Sequence, residues 1–224
     1  MKPQHQHTGE AISRDLAQLR VDYAAHSLSE GDVDPDPIRQ LILWIDQAIA
    51  VHAHEPNAMT LATTDGTRPS ARVVLLKHID ADGLVFFTNY HSRKAVQLDS
   101  NPHAAAVFWW PELHRQARVE GTISRTTRAQ SEEYFNRRPP DSRLSAAASP
   151  QSQIVPSREI LERRVAELAK QFPDGNVPCP PNWGGYCLRP HTLEFWQGRT
   201  GRLHDRIEYS WNEINAWIIR RLAP

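Results

Sequence analysis

Apolar residues first fall into register after about position 36. Leu41, Trp44, Ile45, Ala48 and Ile49 recur at helical spacing behind Asp36, a good capping side chain, and Pro37, whose fixed φ suits a first turn. The spacing predicts a helix with one apolar face. Between positions 58 and 124 the texture changes to short runs of β-branched and aromatic residues bounded by turn pairs such as Asp65-Gly66 and Asp82-Gly83. Strands are expected at 59–63, 70–78, 84–89, 104–110 and 116–124, with a short helix at 92–98 capped by Ser92. In the last of these strands Ala117, Val119 and Ile123 alternate with Arg118, Glu120 and Thr122, so one face is wet.

Helical periodicity returns at 126–137, where Pro139 enforces a stop, and at 157–172, where Ile160, Leu161, Val165, Leu168 and Phe172 form the apolar face. Four more strands are expected at 184–189, 193–197, 206–210 and 216–221. Strands outnumber helices and come in runs, which argues a mainly β (α+β) antiparallel sheet or barrel with helices attached. Ahead of this domain, residues 36–224, the pattern gives a weak helix at 10–23 and then a polar, acidic linker, together a flexible N-terminal arm over 1–35.

Composition changes this picture in two places. The 26 Lys and Arg balance 26 Asp and Glu, so no global basic field exists to hold nucleic acid or an anionic membrane, and any anion must be bound locally. Twenty-two of those cations are Arg, whose planar fork pairs two ways with phosphate, although genomic base composition produces the same bias. Cys179 and Cys187 are too few for a disulfide scaffold or a thiolate metal site. With no apolar signal region or membrane span in the pattern, a cytoplasmic location is expected.

Candidate chemistry then has few places to reside. Arg72-Val73-Val74-Leu75-Leu76-Lys77 reads as strand with a cation at each end; strand alternation would send the two to opposite faces. Arg93 and Lys94 sit in a helical first turn, where the dipole repels cations but free N–H groups attract an anion, and a phosphate would reconcile the two. Tyr134 and Arg138, four apart, with Ser142 beyond Pro139-Pro140, form a second phosphate cradle, although ordinary helix ends produce such triples. Gln116, Gln151 and Ser152 add neutral donors, equally consistent with capping. Arg202, His204 and Arg206 fall at alternate positions and would share a strand face, with His204 able to move protons near neutrality. No histidine pair has metal spacing, and neither a phosphate-binding glycine loop nor a GxSxG elbow is present.

These runs, RVVLLK at 72–77, FFTN at 86–89, SRKAVQL at 92–98, RQARVEG at 115–121, YFNRRPPDS at 134–142, QS at 151–152, WGGY at 183–186, EFWQG at 194–198 and RLHDR at 202–206, resemble the pyridoxine/pyridoxamine 5'-phosphate oxidases. The resemblance spans nearly the whole chain. It implies an FMN-binding split β-barrel of antiparallel Greek-key type, working as a cytoplasmic homodimer with two FMN sites at the subunit interface. FMN would be met by Arg72, Val73, Val74, Leu75, Leu76, Lys77, Phe87, Thr88, Arg93, Lys94, Gln116, Gln151, Ser152, Trp196 and Arg206. The substrate would be met by Lys77, Tyr134, Arg138, Ser142, Arg202, Leu203 and His204, with Arg202 and His204 catalytic and no metal. In the arm, Arg20 and Tyr23 match residues that cover the site in the family.

The implied reaction is oxidation of pyridoxine or pyridoxamine 5'-phosphate to pyridoxal 5'-phosphate in vitamin B6 biosynthesis and salvage, with oxygen as acceptor and hydrogen peroxide as product. One departure is Phe87, where a Tyr also occurs. Alternatives are an oxidase of the same fold acting on another substrate, such as a phenazine precursor, and a flavin or pyridoxal phosphate carrier without turnover. A nucleic-acid binder is disfavoured by the neutral charge.

Overall fold

The structure is a computed structural model that describes residues 16, 19, 23, 26–212, 214 and 216–224. Among them are five helices, α1 (Pro37–Ala50), α2 (Arg93–Ser100), α3 (Arg128–Arg137), α4 (Pro140–Ala148) and α5 (Arg158–Gln171). Nine strands accompany them: β1 (Ala58–Thr64), β2 (Pro69–Leu75), β3 (His78–Asp80), β4 (Gly83–Asn89), β5 (His103–Trp110), β6 (Arg115–Arg125), β7 (Trp183–Gln197), β8 (Asp205–Trp211) and β9 (Trp217–Arg221). Every strand pair is antiparallel, in the order β2-β1-β5-β6-β7-β4-β3, with β8 and β9 continuing from β7. The result is a curled half-barrel of the split-barrel kind.

Its spine is β7. The first half pairs with β4, from Trp183 opposite Asn89 to Leu188 opposite Leu84, and the last part with β8, while β6 runs alongside. The expected break between 189 and 193 is absent, because Pro190 sits at a bulge beside Glu120 and Gly121, where a missing N–H is tolerated. A Cβ on Gly121 would come within 2.0 Å of the Arg189 carbonyl oxygen, so only glycine permits this crossing.

Helix α1 starts as expected, with the Asp36 carboxylate accepting from Ile38 N at 2.8 Å. Leu41, Trp44, Ile45 and Ala48 are buried, and Trp44 meets Phe195 edge-on at 5.0 Å, fastening the helix to β7. Ile49 is exposed instead. At 100° per residue it lies about 80° round from Leu41, beyond the edge of the buried stripe. Helix α3 carries a full capping box between Thr127 and Gln130. Helix α4 corresponds to no expected element, and the apolar face of α5 is only half-buried.

Two further expectations change. The strand expected at 70–78 ends at Leu75: Leu76 N donates to Asn57 O and Lys77 N to Val85 O, so the chain leaves β1 and restarts as β3. The polar segment before α1 is packed from Leu28 onward, with Leu28 and Val33 in the core and Asp34 O accepting from the Tyr209 hydroxyl at 2.6 Å. The expected helix at 10–23 lies outside the described residues, apart from Leu16, Leu19 and Tyr23, and Arg20 lies outside them altogether.

Candidate active site

One cavity of about 620 Å³ opens between β2, β4, α2 and the α3–α4 junction. Arg72, Lys77, Lys94 and Arg138 line it, and no carboxylate does among the described residues. Arg72 and Lys77 therefore face the same space, contrary to the opposite faces that strand alternation implies, because the strand breaks between them. Val73, Val74, Leu75, Phe87, Thr88, Tyr134 and Gln151 also line the cavity, whereas Leu76 is buried in the core.

Two of these cations, Arg72 and Lys94, are held by side chains of the fold. Arg72 donates to Thr63 Oγ1 at 2.6 Å and to Ser70 Oγ at 2.5 Å. Lys94 Nζ donates to Thr88 Oγ1 at 3.1 Å, and Thr88 in turn donates to Gln151 Oε1 at 2.9 Å. All these partners are neutral. Burial, with the charge of Arg93 nearby, pushes the Arg72 guanidinium below its ordinary value, and burial together with Arg72 does the same to Lys94. Like charges are thus concentrated with nothing opposite, the electrostatic signature of an anion site.

Arg138 closes the other side. It caps the end of α3, its guanidinium carbon lies 5.0 Å from the Trp183 ring centroid, and burial lowers its pKa. Its Nη1 is buried with no hydrogen-bond partner among the described residues, a donor left for a ligand. Beside it Phe87, Tyr134 and Trp183 stack in nearly parallel planes, Phe87 on Tyr134 at 4.0 Å and on Trp183 at 5.5 Å. Burial raises the Tyr134 phenol pKa, so it stays a hydroxyl donor.

Several expected residues stand elsewhere. Arg93 is exposed and bears on the cavity through its charge on Arg72. Ser152 is exposed in a left-handed turn with φ of 71°, and Ser145 and Ser149 of the α4 region line the cavity where Ser142 does not. Gln116, Trp196, Arg202, Leu203, His204 and Arg206 are absent from this cavity and gather at the far end of β7. There Gln116 pairs with Trp196, and Trp196 with Arg206. Arg202 lies in the 3-10 turn Thr200–Arg202 and only Arg206 is in β8, so the three do not share a strand face. Arg206 grips the buried Glu194 carboxylate with two bonds of 2.9 Å.

His204 packs at a tilt of 44° against Trp196, ring centroids 4.6 Å apart, and its Nδ1 accepts from Arg199 N at 3.1 Å, which puts the neutral ring's proton on Nε2. Burial, then the Arg202 charge, lowers its pKa. Asn89, Ser145, Ser149, Glu194 and His114 were not singled out by the sequence. Ser145 and Ser149 depend on α4, which had no periodic signal, and Glu194 is visible only as one carboxylate in the EFWQG run.

Residues 45–172 match the pyridoxamine 5'-phosphate oxidase family, and residues 183–224 match the pyridoxine 5'-phosphate oxidase C-terminal dimerisation region. The chain belongs to the pyridoxamine 5'-phosphate oxidase family. Membership makes it an oxidoreductase. Pyridoxine/pyridoxamine 5'-phosphate oxidases of Nostoc punctiforme (50% identical over 214 residues, 95% of this chain and all of the relative) and Cupriavidus metallidurans (54% over 211 residues, 93% and 99%) align nearly end to end. Among solved structures, PhzG from Burkholderia lata in complex with tetrahydrophenazine-1-carboxylic acid superposes with a TM-score of 0.85 at 31% identity, covering 90% of this chain and 100% of that one. A pyridoxamine 5'-phosphate oxidase-related, FMN binding protein from Nostoc punctiforme shares the fold, with a TM-score of 0.64 at 20% identity, covering 88% and 99%.

Proposed function

We propose that the protein binds FMN and oxidises pyridoxine 5'-phosphate or pyridoxamine 5'-phosphate to pyridoxal 5'-phosphate, with oxygen as acceptor. The observation that carries this reading is a cavity with four lining cations and, among the described residues, no carboxylate and no partner for Arg138 Nη1, a set that fits two phosphate groups. Arg72 and Lys94, with Thr88, Gln151, Arg93 and Ser152, would hold the FMN phosphate and its surroundings. Lys77, Tyr134 and Arg138 would hold the substrate phosphate, with the Ser145 and Ser149 hydroxyls, in place of the expected Ser142, on the same wall. FMN, when bound, supplies a two-electron acceptor for the hydride leaving the substrate's 4' carbon, and oxygen then takes the electrons to give hydrogen peroxide.

The chain's own residues orient and shield. Arg138 and Tyr134 fix the phosphate end through donors that stay charged or protonated near neutrality. His204, neutral with its proton on Nε2, and Arg202 position the 4' carbon, where a small misplacement is costly. Because Gln116, Trp196, Arg202, His204 and Arg206 lie apart from the cavity in one chain, a homodimer that brings the β7 end of one subunit against the cavity of the other would complete each site. The match to a dimerisation region supports that assembly.

A second reading, oxidation of a tricyclic phenazine precursor, draws on the likeness to PhzG. The cradle of Tyr134 and Arg138 favours a phosphorylated substrate. The experiment is the visible spectrum of the purified protein followed by oxygen uptake. A flavin spectrum with uptake on pyridoxine 5'-phosphate is expected; a colourless protein that FMN does not activate, or uptake only with the phenazine precursor, overturns the reading.

A further inference from the structure

Gln97 does not line the cavity, yet it meets the residues that hold one of its cations. The β1–β2 register sets Thr63 opposite Ser70 and Leu61 opposite Arg72, and α2 packs against β1 with Ala95, Gln97 and Leu98 buried. The Gln97 side chain reaches both hydroxyls. Thr63 Oγ1 donates to its Oε1 at 2.7 Å, and Ser70 Oγ donates to the same oxygen at 2.7 Å. Gln97 and Thr63 are 4% and 3% exposed, so water does not compete for these bonds.

The direction of the bonds follows from their protons. Arg72 can only donate, and it does so from Nη1 to Thr63 Oγ1 at 2.6 Å and from Nη2 to Ser70 Oγ at 2.5 Å. Each hydroxyl therefore accepts from Arg72 and has a single proton to spend elsewhere. A bond between the two hydroxyls is long, at 3.4 Å, whereas Gln97 Oε1 is close to both, so the amide oxygen and not its nitrogen faces the pair. With Leu61 O also accepting from Nη1 at 3.3 Å, three of the five guanidinium N–H groups are taken among the described residues, and two are left to meet a ligand. Lys94 lies three residues before Gln97 on the same helix. Helix α2 thus brings one cation to the cavity and orients a second through two hydroxyls.

We propose that Gln97 is a positioning residue for anion binding: its Oε1 takes the protons of Thr63 and Ser70, turns their lone pairs toward Arg72 and so holds the guanidinium fork for the phosphate of FMN. The choice of FMN rests on the reading above; the relay from Gln97 to Arg72 rests on the hydrogen bonds.

The test compares FMN with riboflavin, which lacks the phosphate, by fluorescence titration of the full-length protein freed of flavin. Gln97→Met keeps the side chain's length and removes the acceptor, while Gln97→Glu keeps an acceptor in the same place. Gln97→Met is expected to weaken FMN about tenfold and riboflavin less than about twofold, and Gln97→Glu to return FMN to within about threefold of the parent. In an Arg72→Met background Gln97→Met costs less than about twofold more, because the fork it orients is gone. A merely structural role would weaken both flavins alike. Equal loss of the two flavins in Gln97→Met, no rescue by Gln97→Glu, or factors that multiply with Arg72→Met overturn the proposal. If Gln97→Met melts early, Ser70→Ala on the edge strand β2 removes one arm of the relay and should lower the FMN-to-riboflavin affinity ratio about fivefold; an unchanged ratio overturns the proposal. If the parent binds neither flavin, the cofactor reading fails, and the relay is read from the rise in Tm that inorganic phosphate gives over chloride at equal ionic strength. That rise should be present in the parent and at least halved in Gln97→Met; its absence from the parent, or its full persistence in the variant, overturns the relay.

Discussion

Lys94 sits half-buried beside Arg72, with only a threonine hydroxyl as its side-chain partner among the described residues, and burial and Arg72 both disfavour its charge. Such an arrangement destabilises the empty protein and is useful once an anion arrives. Lys94→Met should therefore raise the Tm of the flavin-free protein while weakening FMN about tenfold to a hundredfold, the scale of one charge-assisted bond. Flavin fluorescence titration and a melting curve measure the two sides. Arg93→Ala, changing an exposed side chain, should weaken FMN less. A second expectation concerns His204. Its pKa is lowered by burial and by Arg202, so the folded state resists protonation; its stabilising contribution is present above 6.5 and is lost as the pH falls. Arg202→Ala should move the His204 titration upward, which histidine-selective NMR reads directly; an unmoved titration would remove Arg202 from its surroundings. All of these residues were legible as charges in the sequence. That Arg72 and Lys77 share a cavity was implied by the family resemblance but not by strand alternation, since it depends on the break after Leu75.

At the scale of elements, local chemistry marks ends better than continuity. Asp36 with Pro37, Ser92, and Thr127 with Gln130 each stand at the start of a helix, because a cap satisfies donors within its own turn. Pro190 misleads for the complementary reason. A proline normally ends a central strand, but the bulge opposite Glu120 and Gly121 absorbs its missing donor, and that bulge is a property of the paired strands. Gly121→Ala should drive a Cβ into the Arg189 carbonyl, destabilise by about 3 kcal/mol and lower the Tm by about 10 °C. Circular dichroism melting checks this, and a parent-like Tm would show that β7 can bend elsewhere. Helix α4 escaped notice because Pro140–Ala148 is short, small-residued and weakly periodic, and only Leu144 is buried.

Across the whole molecule, the proposed site is divided. The cation-lined cavity lies by β2, β4 and α2, and the His204 and Trp196 cluster lies where β6, β7 and β8 meet. Exposed apolar side chains flank both, Val73 on β2 and Trp109 beside Trp196. If two copies complete each site, dilution should release FMN as subunits part, with occupancy and dimer fraction falling together. Analytical ultracentrifugation with flavin absorbance follows both; a monomer that retains FMN would refute the shared site.

By itself the sequence determined the fold class, most helix starts, most strands and the cations that line the cavity, because caps, alternation and charge are local properties that one segment carries. Only the tertiary structure decided that β7 is one strand, that Lys77 turns to join Arg72, that Leu76 faces the core, that Ser145 and Ser149 line the cavity where Ser142 does not, and that Gln97 meets Thr63 and Ser70. Each of those depends on which distant backbone satisfies a given N–H or fills a given gap, and no spacing along a single segment encodes that pairing.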